Sequence, residues 1–163
     1  MAEYDRDFLT AKHDLYENNI RNWEFYIRSF LGGNDYKNGY NLHRYILETP
    51  EEYDQRIRHT PVDNHCRNVV QIYSSFLWRV PPSRDYGKLN GDPQLEAFIV
   101  DADLDGRSFN NVMREMQTQA SIYGNCWAVV DKPQVNTKTR AEELEQDIRP
   151  YISIYTPENV VNW

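Results

Sequence analysis

Apolar side chains recur with helical period in several segments of the chain, and each segment predicts an amphipathic helix. The first helix is predicted over residues 5–31, where Gly32 and Gly33 favour its end. Another is predicted over residues 62–79, which the pair Pro81 and Pro82 ends. The stripe on this second helix predicts a buried face but does not say against which chain it is buried. The apolar positions of that face are Val62, Cys66, Val69, Tyr73, Phe76, Leu77 and Val80.

Capping residues predict where three further helices begin or end. Thr49, Pro50 and Glu52 form a capping-box signature for a helix that runs to about His59. Gln94–Val100 is predicted as a short helix. Ser108 is expected to cap a longer helix that Gly124 ends. The central part of the chain is therefore predicted to be helical.

The last forty residues change from helical to strand character. Cys126–Asp131 and Tyr151–Tyr155 are short apolar runs that predict two strands, and the charged insert between them carries a small Glu-rich helical piece. A third apolar run, Val160–Trp163, predicts a strand edge to which further chain should attach, so the chain is expected to be part of a longer protein.

The predicted class is therefore α+β, with a helix-rich N-terminal part followed by a small antiparallel sheet. One domain over residues 1–163 is expected. It comprises a helical lead (1–33), a helical body (42–124) and the strand pair with its insert (125–163).

The composition indicates a soluble protein that does not grip nucleic acid by its charge. The formal net charge is −7, whereas proteins that clamp DNA phosphates are normally basic. Cys66 and Cys126 lie far apart with no CxxC partner and each within an apolar pattern, which favours buried, reduced thiols in a cytoplasm. No signal sequence or membrane-spanning run is predicted. Aromatic residues reach 13%, which suits either a well-filled core or an interface between chains.

An acidic turn is the one segment with metal-binding character. Asp101, Asp103 and Asp105 alternate before Gly106, as at the start of a calcium loop, but the twelfth position of the loop is Val112. A turn whose carboxylates face a helix N-terminus explains the same residues, because the exposed amides there favour negative charge. The turn is thus a weak calcium candidate, and no cofactor is expected.

Motifs for catalysis are missing from the sequence. The four histidines form no HxxxH or HExxH pattern, and neither GxGxxG nor GxxxxGK[ST] occurs. Ser121 and Ser153 lack the surroundings of a nucleophile elbow. We therefore expect a protein that is not an enzyme.

Fragments spread over about residues 40–163 resemble the N-terminal part of tailed-bacteriophage portal proteins, also called head-to-tail connectors. The order of the fragments and the closing Pro-Glu-Asn-Val-Val-Asn-Trp carry the resemblance. The matching fragments are residues 51–56, 68–70, 75–82, 103–108, 123–124, 128–133, 149–151 and 155–163.

The resemblance implies a structural subunit of a ring, usually of twelve copies, at one capsid vertex. Such a ring forms the conduit for genome packaging and ejection and the attachment site for the tail. The implied partners are further copies of the chain, the major capsid protein, a tail adaptor, and the terminase motor through parts not present here. Double-stranded DNA passes through without sequence-specific binding. The implied location is the virion, after synthesis in the host cytoplasm; the stem, clip and crown of the family are absent from this sequence.

Aromatic and basic residues are the candidates for contacts with the neighbouring subunit or the capsid: Trp78, Tyr123, Trp127, Lys138, Arg140, Tyr155 and Trp163. Lys138 and Arg140 lie in the charged insert, which is either a solvated loop or a subunit-contact loop. The alternative to the ring is a calcium-binding module, or a capsid or adaptor interaction module, that forms no ring.

Overall fold

A computed structural model describes residues 10–37, 41–134 and 139–163. The described chain contains a set of helices followed by a two-stranded sheet, which confirms the predicted α+β class. In chain order the elements are α1 (Asp14–Leu31), α2 (Gly33–Tyr36), α3 (Pro50–His59), α4 (His65–Leu77), α5 (Pro93–Val100), α6 (Phe109–Tyr123), β1 (Trp127–Asp131), α7 (Arg140–Glu145) and β2 (Tyr151–Tyr155). Short 3-10 turns cover Gly87–Leu89 and Pro157–Asn159.

The predicted helix caps are confirmed. Thr49 and Glu52 form a complete capping box at the start of α3. Ser108 accepts the amide of Asn111 at 3.4 Å at the start of α6. Gly124 ends α6 in the left-handed conformation, with φ of 86°. These ends depend on hydrogen bonds between residues a few positions apart, so the sequence alone was enough to place them.

The sheet consists of β1 and β2 in antiparallel register, from Trp127 opposite Tyr155 to Asp131 opposite Tyr151. The amide of Ile152 also donates to the carbonyl of Ala102 at 2.8 Å, which ties β2 to the turn between α5 and α6. Both predicted strands are thus confirmed to within one residue.

Helix α6 joins two small apolar cores. At its C-terminal end Tyr123 packs with Tyr16 and Trp23 of α1. Near its N-terminal end Val112 packs with Ala102 and Ile152. Burial of these side chains holds α1, α5 and the sheet around α6.

The joint between α1 and α4 depends on a glycine. Gly32 ends α1 with φ of 68°, and a Cβ at this position would collide with the side chain of Asn64. Asn64 donates to the carbonyl of Phe30 at 2.6 Å and accepts the amide of Arg67 at 2.9 Å. One side chain therefore satisfies the end of α1 and the start of α4 together.

The predicted strand edge at Val160–Trp163 stays a prediction. No described strand pairs with residues 160–163, although the backbone of Val160 is extended. The carbonyl of Val161 accepts the amide of His13 at 2.9 Å, and the Trp163 ring stacks on the His13 ring with 4.3 Å between centroids. Trp163 therefore contacts the start of α1, while Val161 and Trp163 both remain partly exposed.

Candidate interaction surface

Helix α4 packs on the rest of the chain through its more polar side. Arg67 donates to the carbonyls of Phe30 and Leu31 at 3.2 and 2.6 Å, where its positive charge also suits the C-terminal end of α1. Ser74 is buried, and its hydroxyl lies 3.5 Å from that of Thr118 on α6. The half-buried side chains Val70 and Trp78 complete this side.

The opposite side of α4 is apolar and faces solvent. Phe76 is 70% exposed, although it belongs to the stripe that the sequence predicts to be buried. We call this surface the α4 face, and its exposed side chains are Val69, Ile72, Tyr73, Phe76, Leu77 and Val80. The described residues leave this stripe uncovered, so it is available for contact with a second molecule or a further segment.

A second exposed apolar surface lies in the loop before α3. Tyr45, Ile46 and Leu47 follow each other there, and Ile46 is 93% exposed. Three consecutive exposed apolar residues are unusual in a loop unless they have a function. We call residues 41–60 the arm and these three residues its tip.

The acidic turn is held by arginines. Asp101 pairs with Arg149 at 2.6 Å and accepts the amide of Gly106 at 2.9 Å. Asp103 pairs with Arg107 and accepts the amides of Asp105 and Arg107. Burial opposes ionisation of Asp103, yet these hydrogen bonds outweigh it and hold the pKa of its carboxyl below the usual value.

The carboxylates of the turn therefore support the backbone instead of facing one another. Ser108, not an aspartate, caps α6. Across residues 10–37, 41–134 and 139–163, no three His, Cys, Asp or Glu side chains lie close enough together to hold a metal ion.

The aromatic candidates at the C-terminal end form one cluster. The rings of Trp127 and Trp163 lie 5.3 Å apart, next to the stacked His13. Trp163 and Tyr155 remain exposed, whereas Trp127 is half-buried. Part of this aromatic cluster is exposed, but its rings also contact one another within the chain.

The remaining interface candidates differ in their exposure and in their contacts within the chain. Tyr123 is only 4% exposed, so its ring is a core residue and does not supply interface area. Trp78 is half-buried at the end of α4. Arg140 pairs with Asp92, the N-cap of α5, at 2.6 Å and so fastens the charged insert to the body. Lys138 lies outside the described residues.

The α4 face and the arm tip were not among the interface candidates drawn from the sequence. Two signals could have found the α4 face. The side of α4 opposite the stripe carries Arg67 and Ser74, and residues 64–84 contain three arginines and no acidic residue. Both features fit a helix whose polar side is turned inward.

No protein-family model matches this chain, and neither does any curated protein. In the part of the chain that the structure describes, no helix has both the length and the apolar composition needed to cross a membrane.

Proposed function

We propose that this chain is a structural subunit of a larger assembly, and that the assembly is the portal ring at the capsid vertex of a tailed bacteriophage. The observation that carries the first part is the α4 face, an amphipathic helix with its apolar side turned to solvent. The resemblance of residues 40–163 to portal proteins supports the second part.

Exposure of the apolar α4 face to water costs free energy. Monomeric proteins rarely expose contiguous apolar patches larger than a few hundred Å² unless the patch has a function. Covering apolar surface contributes about 25 cal/mol per Å², so a partner that buries this face gains several kcal/mol before the cost of association. An assembly subunit is the protein class that this arrangement favours.

The finer proposal follows the portal resemblance. About twelve copies would form a ring that contacts the major capsid protein and, through parts beyond this segment, the tail adaptor and the terminase motor. The protein would be made in the host cytoplasm and reside in the virion. The net charge of −7 supports a conduit, because a strongly basic wall would retain DNA that has to pass.

Negative-stain microscopy of the purified full-length product tests the proposal. We expect rings of about twelve subunits with a central hole, and only monomers at high concentration would contradict it. An assembly without a ring would favour the capsid or adaptor module instead.

A matched pair of variants tests the role of the α4 face. Val80 lies on the face and Val100 outside it, and both are 71% exposed. Val80→Ser is expected to weaken assembly, whereas Val100→Ser should leave it unchanged, as measured by light scattering over a concentration series. Equal effects of the two variants would show that the face has no special role.

Calorimetric titration with calcium tests the remaining alternative. We expect no binding, because the Asp101 and Asp103 carboxylates are engaged by arginines and backbone amides. Stoichiometric binding that Asp103→Ala abolishes would favour the calcium-binding module.

A further inference from the structure

The arm is an internally braced projection. Glu48 receives two hydrogen bonds from Arg56, at 2.7 and 2.8 Å, and Arg56 also donates to the carbonyl of His43 at 2.8 Å. The hydroxyl of Tyr53 donates to the carbonyl of Leu42. These bonds tie the loop of the arm to α3.

The bracing holds the apolar tip in a defined shape while its side chains are exposed to solvent. A bidentate arginine–carboxylate pair fixes geometry as well as adding energy. A loop that is already ordered loses less conformational entropy when it binds, which favours affinity. The tip is therefore prepared for contact with another surface.

We propose that the arm tip of one copy packs on the α4 face of a neighbouring copy. This inference rests on the proposed assembly and names the contact that builds it. The tip has three large apolar side chains and the face six, and each of them is more than half exposed. A contact between them can therefore bury an area of the order of the roughly 800 Å² per partner in stable interfaces. One contact of this kind covers both of the exposed apolar surfaces.

Charge favours the same pairing. Residues 64–84 carry no acidic residue and three arginines, of which Arg67 bonds the end of α1, Arg84 bonds Asn110 and Arg79 is exposed. Residues 41–60 carry four acidic residues against three arginines. A contact between two α4 faces would bring two basic segments together and leave both tips in water. The contact between arm and face pairs segments of opposite net charge.

The proposed contact is heterologous, since it joins two different surfaces. Each copy supplies one tip and one face, so the chain of contacts continues until it closes into a ring or extends as a filament. A contact between the arm tip and the α4 face therefore leads to a ring or a filament.

Disulfide trapping between copies tests the contact. Ile46→Cys and Phe76→Cys are made separately and together in a Cys66→Ser background of the full-length product, then oxidised and run on a non-reducing gel. We expect a covalent dimer when the two single variants are mixed and a ladder of multimers from the double variant. Each single variant alone, and Ile46→Cys mixed with Val100→Cys, should remain monomeric on the gel.

The outcomes separate this inference from the proposed function. Dimers from Phe76→Cys alone would show contacts between α4 faces and overturn the proposal. Assembly seen by light scattering without any disulfide between Ile46→Cys and Phe76→Cys would also overturn it while leaving the assembly proposal intact. If the protein stays monomeric at every concentration, both proposals fail.

A second variant tests the tip without a disulfide. Ile46→Ser removes the most exposed apolar side chain of the tip and should weaken self-association about tenfold or more. Glu51→Gln, an exposed polar position on the same arm, is the control for a general effect of changing the arm. An unchanged association constant for Ile46→Ser would contradict the proposal.

Discussion

The phenolic hydroxyl of Tyr123 donates a hydrogen bond of 2.9 Å to the carboxylate of Glu158, and the hydroxyl of Tyr16 donates to the backbone carbonyl of the same residue at 3.2 Å. Tyr123 belongs to α6 and Tyr16 to α1. The 3-10 turn Pro157–Asn159 is thus bound to both helices, and the C-terminal segment becomes part of the core that α1 and α6 build.

Tyr123→Phe should lower the free energy of unfolding by about 1–2 kcal/mol, because it removes a buried hydrogen bond and leaves the Glu158 carboxylate with one partner fewer. Urea titration measures the change. Tyr155→Phe is the control, since Tyr155 is 42% exposed whereas Tyr123 is buried, and it should change the stability by less than about 0.5 kcal/mol. Similar values for the two variants would contradict the role given to the Tyr123–Glu158 bond.

The same bond predicts a pH dependence. Burial, together with the Glu158 carboxylate, raises the pKa of Tyr123 above its usual value of 10.0. The folded protein therefore keeps a proton that the unfolded chain releases, so this contribution is complete below pH 10 and declines as the pH rises above it. The free energy of unfolding of the native protein should fall more steeply between pH 9 and 11 than that of Tyr123→Phe.

Asp101→Asn should destabilise the protein by about 2 kcal/mol, because it breaks the charge pair with the buried Arg149. Asp147 pairs with the same arginine at 2.7 Å, but its side chain is mostly exposed. Asp147→Asn should therefore cost less than about 0.5 kcal/mol. Thermal unfolding of the two variants side by side checks this order, and a reversal would show that the exposed pair is the important one.

Glu48→Gln should loosen the arm without unfolding the body. Hydrogen exchange measured by mass spectrometry is expected to speed up in residues 41–49 and to stay unchanged in α6. Asp54→Asn breaks the well-exposed pair between Asp54 and Arg58 on the same helix and serves as the control. Uniform exchange in the arm for both variants and the native protein would show that Arg56 does not brace it.

The Glu48 carboxyl also makes the bracing sensitive to acid. Its hydrogen bond with Arg56 lowers the pKa of Glu48 from 4.5 to about 2. The bracing is therefore complete above pH 4.5 and is lost as the pH falls towards 2. Carboxyl chemical shifts recorded by NMR should place the Glu48 midpoint near 2, and Arg56→Gln should return it towards 4.5.

The two cysteines should differ in reactivity. Burial raises the pKa of the Cys126 thiol, which also donates to the carbonyl of Met116 at 3.4 Å. Cys66 is exposed at the start of α4, so the prediction of a buried thiol is wrong for this residue. A maleimide reagent at neutral pH should label Cys66 first, and mass spectrometry of the peptides measures the two rates. Cys66→Ser should leave a protein that the reagent labels slowly. Fast labelling of this variant would show that the Cys126 thiol is accessible and would contradict the prediction.

The role of the acidic turn and the exposed tip of the arm could not be predicted from the sequence alone. The alternating aspartates could be read as ligands or as partners of a helix end, because the sequence does not show that Arg149, 48 positions away from Asp101, comes back to pair with it. Tyr45, Ile46 and Leu47 gave no periodic signal, since three apolar residues in a row fit neither a helix stripe nor an alternating strand. A contact between distant parts of the chain decided the case of the acidic turn. Hydrogen bonds within the arm decided the shape of its tip.

The sequence by itself determined the local structure: the caps at Thr49, Ser108 and Gly124, the two strands and the α+β class all follow from interactions between neighbouring residues. Only the tertiary structure decided how α4 is turned. Its periodicity marks an apolar side, but the hydrogen bonds of Arg67 to the end of α1, and the close approach of Ser74 to Thr118, place the polar side inward. The apolar side is left exposed because no other described part of this chain covers it.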